Sequence, residues 1–381
     1  MRPLLDRPAC VMMAASGPET RPALTGQRKN SVHDQQSSFS CRLEEQGLPP
    51  GDCRVHLGRG TALACRATLR RKEGGWQRLV SAVQLSRPEN YLSIYQSGCN
   101  LGCRKCHSWQ FSQVRQGRWF GPEDVLALAL EYERHVTLWE PREQATAWHA
   151  ALSCLCCGHC VVEGERSADC PGRLGPEAIF LSPQGFGPVR NIIAFTGGDL
   201  TCRPEFYAQT ARLIKERTRL WVLIETNGYG LTPASLDLLK AAGVDAFWLD
   251  IKAFDEERHR WLTGRTNRHI LDLPEQMLAR GFVVEVLSLY IPEVVEADDL
   301  EKTARLLAGV KPDLPFTLLA FFPAYRMASF RSPTLKEMIE ALRRVRAAGL
   351  TKIRLGNVPL FARTASERAR LARQMEAGSG P

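Results

Sequence analysis

No apolar run in these 381 residues approaches the length of a bilayer span, so an integral helical membrane protein is excluded. A secretory leader is not expected either. The opening stretch MRPLLDRPACVMMAASGPE has a short apolar patch that charge and proline interrupt, so the location expected is cytoplasmic. No RNA-binding motif accompanies the net charge of +9, although residues 1–90 hold 14 Lys+Arg against 8 Asp+Glu. That basic excess reads as a solvated tail, and nucleic acid is not expected as a partner. Hydrophobic content of 44% and charged content of 24% are those of a chain with a real core. What the chain does not lack is cysteine. Thirteen are many for a compartment where structural disulfides are rare, and they cluster, which points to metal.

Residues 1–40, rich in Pro, Ser, Gln and Arg without a period, are expected to be disordered. Residues 41–90 carry Cys41, Cys53 and Cys65 between glycine-punctuated stretches and suggest a small accessory segment of short strands. From residue 91 to 358, apolar strands alternate with amphipathic helices. Strands are expected at 91–97, 191–197, 220–228, 244–252, 282–292, 316–322 and 351–358. Helices are expected at 122–136, near Pro204, after Thr232, from 298 and from Pro333, and residues 359–381 read as a tail. This pattern means a parallel sheet covered by helices, in an open or partial βα barrel or a doubly wound sheet. Residues 139–188 interrupt it as a Cys-rich insertion.

The first strand runs directly into Cys99-Asn-Leu-Gly-Cys103-Arg-Lys-Cys106. Such a loop sits at the C-terminal mouth, where barrels place their chemistry. Three thiolates at spacings of four and three can hold three irons of a [4Fe–4S] cube and leave the fourth open. A zinc site or buried thiols is the competing reading. With this loop the sequence resembles the radical S-adenosylmethionine (SAM) superfamily, whose signature is CxxxCxxC. The resemblance implies a partial (β/α)6 barrel of class α/β, with SAM chelated at the open iron. Its cleavage by one electron would yield a 5′-deoxyadenosyl radical that abstracts hydrogen. Members usually carry an aromatic residue before the third cysteine; here it is Lys105.

Further motifs fall at successive strand ends. Thr196-Gly197-Gly198-Asp199 resembles the family's GGE motif for the methionine amino group, with Asp199 in place of Glu. Glu225-Thr226-Asn227-Gly228 and Asp250-Ile251-Lys252 resemble the DTNG and DxK motifs of the pyruvate formate-lyase activase branch. Taken singly, such acids would be solvated strand-end charges. As a set, the resemblance makes Lys252 a partner of the SAM carboxylate, with Glu225 and Asp250 holding SAM or a monovalent cation. His259, Gly264 and Asn267 match that branch's H-x4-G-x2-N, and His259 is expected to face substrate or to be structural. The classical activase histidine near Phe322 has no counterpart there.

The insertion carries Cys154, Cys157, Cys160 and Cys170-Pro171, resembling a bacterial ferredoxin run with a longer last gap, and Cys156 is spare. An auxiliary [4Fe–4S] cluster is favoured over four-cysteine zinc, and beside the mouth it could relay an electron. Three functions compete. The first is an activase taking hydrogen from a glycine of a protein substrate, served by a flavodoxin- or ferredoxin-type electron donor. The second is radical SAM modification of another peptide, RNA or small molecule. The third, a non-catalytic metal scaffold, is disfavoured by the intact set of SAM motifs.

Overall fold

The computed structural model describes residues 40–73 and 75–376, so the expectation for residues 1–39 lies outside the described residues. Two short strands, β1 (Arg54–His56) and β2 (Thr61–Leu63), form an antiparallel hairpin. β3 (Leu69–Lys72) and β4 (Gly75–Ser86) then pair antiparallel, and β4 runs antiparallel to β5 (Tyr91–Gln96). β6 (Arg118–Phe120) adds to the other edge of β4. The accessory segment therefore ends sooner than residue 90. The twelve residues of β4 bury Leu79, Val80 and Leu85 and belong to the main sheet.

Within the insertion, β7 (Phe180–Ser182) and β8 (Gly185–Gly187) make a small hairpin. The parallel series then resumes with β9 (Ile192–Gly197), β10 (Trp221–Thr226), β11 (Ala246–Asp250), β12 (Val283–Tyr290), β13 (Phe316–Ala320) and β14 (Ile353–Gly356). Sheet order is β14-β13-β12-β11-β10-β9-β5-β4-β3, parallel from β5 to β14. This is the partial barrel expected. Every strand of the parallel series falls inside its expected range, because each is an apolar run closed by turn residues, whereas the short β6, β7 and β8 were not expected.

Local chemistry places the helices. Thr232 accepts the Ser235 N–H ahead of Pro233–Ala241, and Thr334, rather than Pro333, caps Leu335–Ala347 through a reciprocal pair with Glu337. The latter helix buries Leu335, Met338, Ala341, Leu342 and Val345; each large aliphatic side chain contributes about 1.5–3 kcal/mol. The expected tail contains a helix, Ala365–Glu376. Thr364 and Glu367 exchange hydrogen bonds at its start and Leu371 is buried, signals that a mostly charged segment conceals.

The insertion closes where Leu138 bridges Arg190, and it plugs the N-terminal end of the barrel. Buried Glu285 on β12 caps the helix Ala147–Ser153 by accepting the Ala147 and Trp148 N–H groups at 2.5 and 3.2 Å, while Trp248 Nε1 donates to Ala145. No helix among the described residues is long and apolar enough to cross a membrane.

Candidate active site

A cavity of about 350 Å³ opens at the C-terminal ends of the parallel strands. Cys99, Cys103 and Cys106 line it, together with Asp199, Glu225, Asp250 and Lys252 from three further strand ends. The sequence thus names a set that folding brings together. Cys99 and Cys103 are buried and Cys106 is half-buried. Burial and nearby Asp199 push the Cys99 thiol up to about 12. Burial also raises Cys103, against the opposing pull of Lys252. These thiols stay protonated until a metal displaces the protons.

The paired glycines have a steric cause. At Gly198 a Cβ would collide with the Gly98 carbonyl, and Gly197 sits at φ +85° against the Phe111 ring. Behind this contact lies Arg78, fully buried. Its guanidinium donates to Gln96 Oε1 (3.0 Å), Thr68 Oγ1 (2.6 Å) and the carbonyls of Thr68 (3.2 Å), Gly98 (2.9 Å) and Gly198 (3.2 Å). A buried cation stapled to neutral acceptors places positive charge directly behind the cysteine loop. Sequence reasoning missed it. The available signal was one arginine within the apolar run of β4.

Asp199 is committed elsewhere than its motif implies. Oδ1 accepts the N–H and hydroxyl of Thr201, both at 2.8 Å, and Oδ2 accepts the Thr226 hydroxyl (2.7 Å) and Asn227 N–H (2.9 Å). Four donors fill a carboxylate's capacity, so this group pins β9 to β10 and has no lone pair to spare for an ammonium. Asn227, positioned in this way, donates from Nδ2 to Asn100 Oδ1 at 2.8 Å and approaches Cys99 Sγ at 3.6 Å.

Glu225 accepts hydrogen bonds from the Tyr91 hydroxyl and, at 2.6 Å, from Thr196. Burial outweighs both bonds and pushes its carboxyl up to about 7. Lys252 Nζ pairs with Asp250 Oδ2. Burial works against its charge, but Asp250 and Cys103 together raise its proton affinity. The acids read as a cation site are therefore already engaged, Asp250 by Lys252 and Glu225 by two hydroxyls.

Lys105 is 6% exposed and its Nζ finds no hydrogen-bond acceptor. It stands 3.4 Å from the Phe322 ring centroid, a cation–π contact, and burial pushes it down to about 8. His107, one residue past Cys106, meets the same Phe322 ring edge-on at 6.2 Å and lines the cavity. A histidine thus stands beside Phe322 in space, although none is near it in sequence. His259 does not line the cavity. Its Nδ1 engages the Arg265 carbonyl at 2.8 Å and Asn267 Nδ2 donates to Ala253 and Phe254, so the H-x4-G-x2-N stretch builds a turn.

Cys154, Cys157, Cys160 and Cys170 are neighbours: burial, then Cys154 and Cys157, and more weakly Cys170, raise the Cys160 thiol. Cys156 is not spare. At φ +57° it turns its Sγ to within 3.3 Å of Asn90 Oδ1, which lies just before β5. Cys99 lies just after β5, and six strand residues span about 20 Å. The insertion therefore sits at the opposite end of the barrel from the mouth where a relay had been expected. Among the described residues no three His, Cys, Asp or Glu converge on a single ion.

The Radical SAM superfamily profile matches residues 157–307, a stretch that begins after the three-cysteine loop. Over that stretch the chain is similar to the radical SAM superfamily. Among curated proteins, it is similar to a putative glycyl-radical enzyme activating enzyme of Methanocaldococcus jannaschii, 28% identical over 153 residues (39% of this chain, 57% of that protein). It is also similar to the pyruvate formate-lyase-activating enzyme of Clostridium pasteurianum, 26% identical over 120 residues (31% and 49%). The chain spans about half the length of these curated relatives. Among solved structures, a domain of pyruvate-formate lyase-activating enzyme from Bacteroides vulgatus aligns with TM-score 0.38 at 18% identity, covering 43% of this chain and 98% of that one. Streptococcus suis SuiB aligns with TM-score 0.46 at 12% identity, covering 73% and 53%.

Proposed function

We propose that this chain is an enzyme that cleaves SAM reductively at a [4Fe–4S] cluster held by Cys99, Cys103 and Cys106. The hydrogen it then takes comes from a glycine of a large partner protein. The supporting observation is one cavity lined by all three thiols and by Lys252, beside a buried ammonium, Lys105, that lacks an acceptor. A buried unpaired donor favours an acceptor-rich, partly anionic ligand. Bound there, cluster and SAM supply the electron and the hydrogen-abstracting carbon radical.

The chain's own residues do the positioning. Lys252 offers a cation to the SAM carboxylate, in exchange with Asp250. Asn227 orders the loop at Cys99, and Phe322 with His107 walls the cavity against water. Arg78 offsets thiolate charge from behind. A flavodoxin- or ferredoxin-type donor would deliver the electron. The glycyl-radical reading is drawn from the two curated relatives.

The test is to incubate reconstituted, dithionite-reduced protein and SAM with lysate from its own source. SAM should yield 5′-deoxyadenosine and methionine, and a glycine-centred paramagnetic signal should develop on a large protein. Abundant 5′-deoxyadenosine without that signal would assign another substrate, and cleavage at the wild-type rate by Cys103→Ala would overturn the proposal altogether.

A further inference from the structure

The twelve described cysteines are all free. Three line the mouth and five lie in the insertion, which leaves Cys41, Cys53, Cys65 and Cys202. These are far apart in sequence, but the fold collects them. At the open end of the β1–β2 hairpin the Cys53 carbonyl accepts the Ala64 N–H at 2.6 Å, which sets Cys53 beside Cys65. Cys41 heads the short helix Arg42–Glu45, and the carbonyl of Ser40 just before it accepts a hydrogen bond from Arg203. Arg203 immediately follows Cys202, which is 7% exposed. The first three cysteines thus belong to the accessory segment and the fourth to the loop after β9.

Their thiols act on one another. Burial is the main reason that Cys53 is pushed up to about 11, and Cys65 and Cys41 add to it. Cys202 is raised by burial, by Asp199, and then by Cys65 and Cys53. Cations face the same group. Arg203 and Arg66 act on Cys65, and Arg265 acts on Cys53. Arg265 is anchored by Nη2 on the Gly51 carbonyl at 3.0 Å, and its buried Nε has no partner.

We propose that Cys41, Cys53, Cys65 and Cys202 bind an additional iron–sulfur centre, a four-thiolate [4Fe–4S] cluster, on the outer side of the three-cysteine loop. Four thiols from two segments match the ligand count of a [4Fe–4S] cube. The two loops share one layer of backbone. A Cβ on Gly51 would collide with the Asn100 carbonyl, and Asn100 N–H donates to Asp199 at 2.8 Å. Such a centre ties the accessory segment to the barrel directly behind Cys99. It stands whether or not the mouth binds SAM.

The experiment uses the full chain with Cys99, Cys103, Cys106, Cys157 and Cys160 all replaced by Ala, reconstituted anaerobically. It should keep about four irons and about four sulfides per chain and give a paramagnetic signal on reduction. Adding Cys53→Ser and Cys202→Ser should remove them. An iron-free parent variant that is folded by circular dichroism overturns the proposal, as does one zinc held per chain. Where the variants do not fold, alkylation of the unsubstituted protein decides. Cys41, Cys53, Cys65 and Cys202 should be shielded from iodoacetamide when loaded and modified after chelation. Equal labelling in both states overturns the proposal.

Discussion

Asp199 distinguishes a structural pin from a ligand, because the two roles predict opposite outcomes. Two of its four acceptor bonds tie the loop after β9 to the Thr226–Asn227 turn and two hold Thr201 in that same loop, and all four donors are buried. Asp199→Ala leaves the amides of Thr201 and Asn227 without a partner, at about 1–3 kcal/mol each. Adding the two lost hydroxyl bonds, and allowing for relaxation, the total is about 3–5 kcal/mol. Asp199→Asn keeps the shape but turns an N–H2 toward one pair of donors, costing about 2–3 kcal/mol. With a urea slope of about 3 kcal/mol per molar, the Ala variant should unfold about 1–1.7 M earlier than the wild type. Urea titration of the SAM-free protein reads this, and calorimetry with SAM reads the other role. Should Asp199→Asn unfold at the wild-type midpoint while losing SAM affinity, the pin is wrong and the carboxylate is a ligand.

Lys252→Ala should weaken SAM binding roughly ten- to a hundredfold, the worth of one charge-assisted contact, and leave the cluster spectrum intact; unchanged affinity by calorimetry would assign Lys252 to stability. Glu225 has a raised carboxyl, from the ordinary 4.5 to about 7, so the folded state holds a proton that the unfolded state releases. Stability should then fall as pH rises from about 4.5 to about 7, by roughly 3 kcal/mol in all, and a Glu225→Gln chain that keeps this slope refutes the assignment. Cys157→Ala with Cys160→Ala should cost about four irons yet leave dithionite-driven SAM cleavage unchanged, since the insertion lies at the other end of β5; a lost rate would mean the two ends are coupled. Arg78→Met strands the Gly98 and Gly198 carbonyls and should destabilise the protein by about 3 kcal/mol, with slower iron uptake; wild-type uptake would show that the buried cation does not serve the loop.

How much of this was legible in sequence depended on the range over which each signal acts. The strands and helices were readable because their periods and caps are local, as with Thr232 and Ser235 or the apolar run of β11. The mouth was readable for a related reason. In a parallel barrel every strand end points the same way, so motifs at the ends of β5, β9, β10 and β11 converge wherever the sheet closes. What the spacing could not convey was commitment. Asp199 and Glu225 were correctly placed beside the cavity, but their lone pairs are spent on Thr201, Thr226, Asn227, Thr196 and Tyr91. His107 was passed over because the resemblance sought a histidine near Phe322 in the chain rather than in space.

The insertion carries the sharper lesson about polarity. It leaves the series after a helix and returns before β9, and that connection always lies at the N-terminal edge of a parallel sheet. An insert there meets the mouth only by wrapping around the barrel, and this one instead plugs the bottom through Glu285 and Asn90. The accessory segment reaches the mouth by another route. β4 runs antiparallel to β5, so its start lies beside the end of β5, and the chain preceding β3 lies against the cysteine loop. Strand direction, which the alternation of elements already implies, assigns the insertion's cysteines to one end of the barrel. It assigns Cys41, Cys53 and Cys65 to the other, beside Cys99.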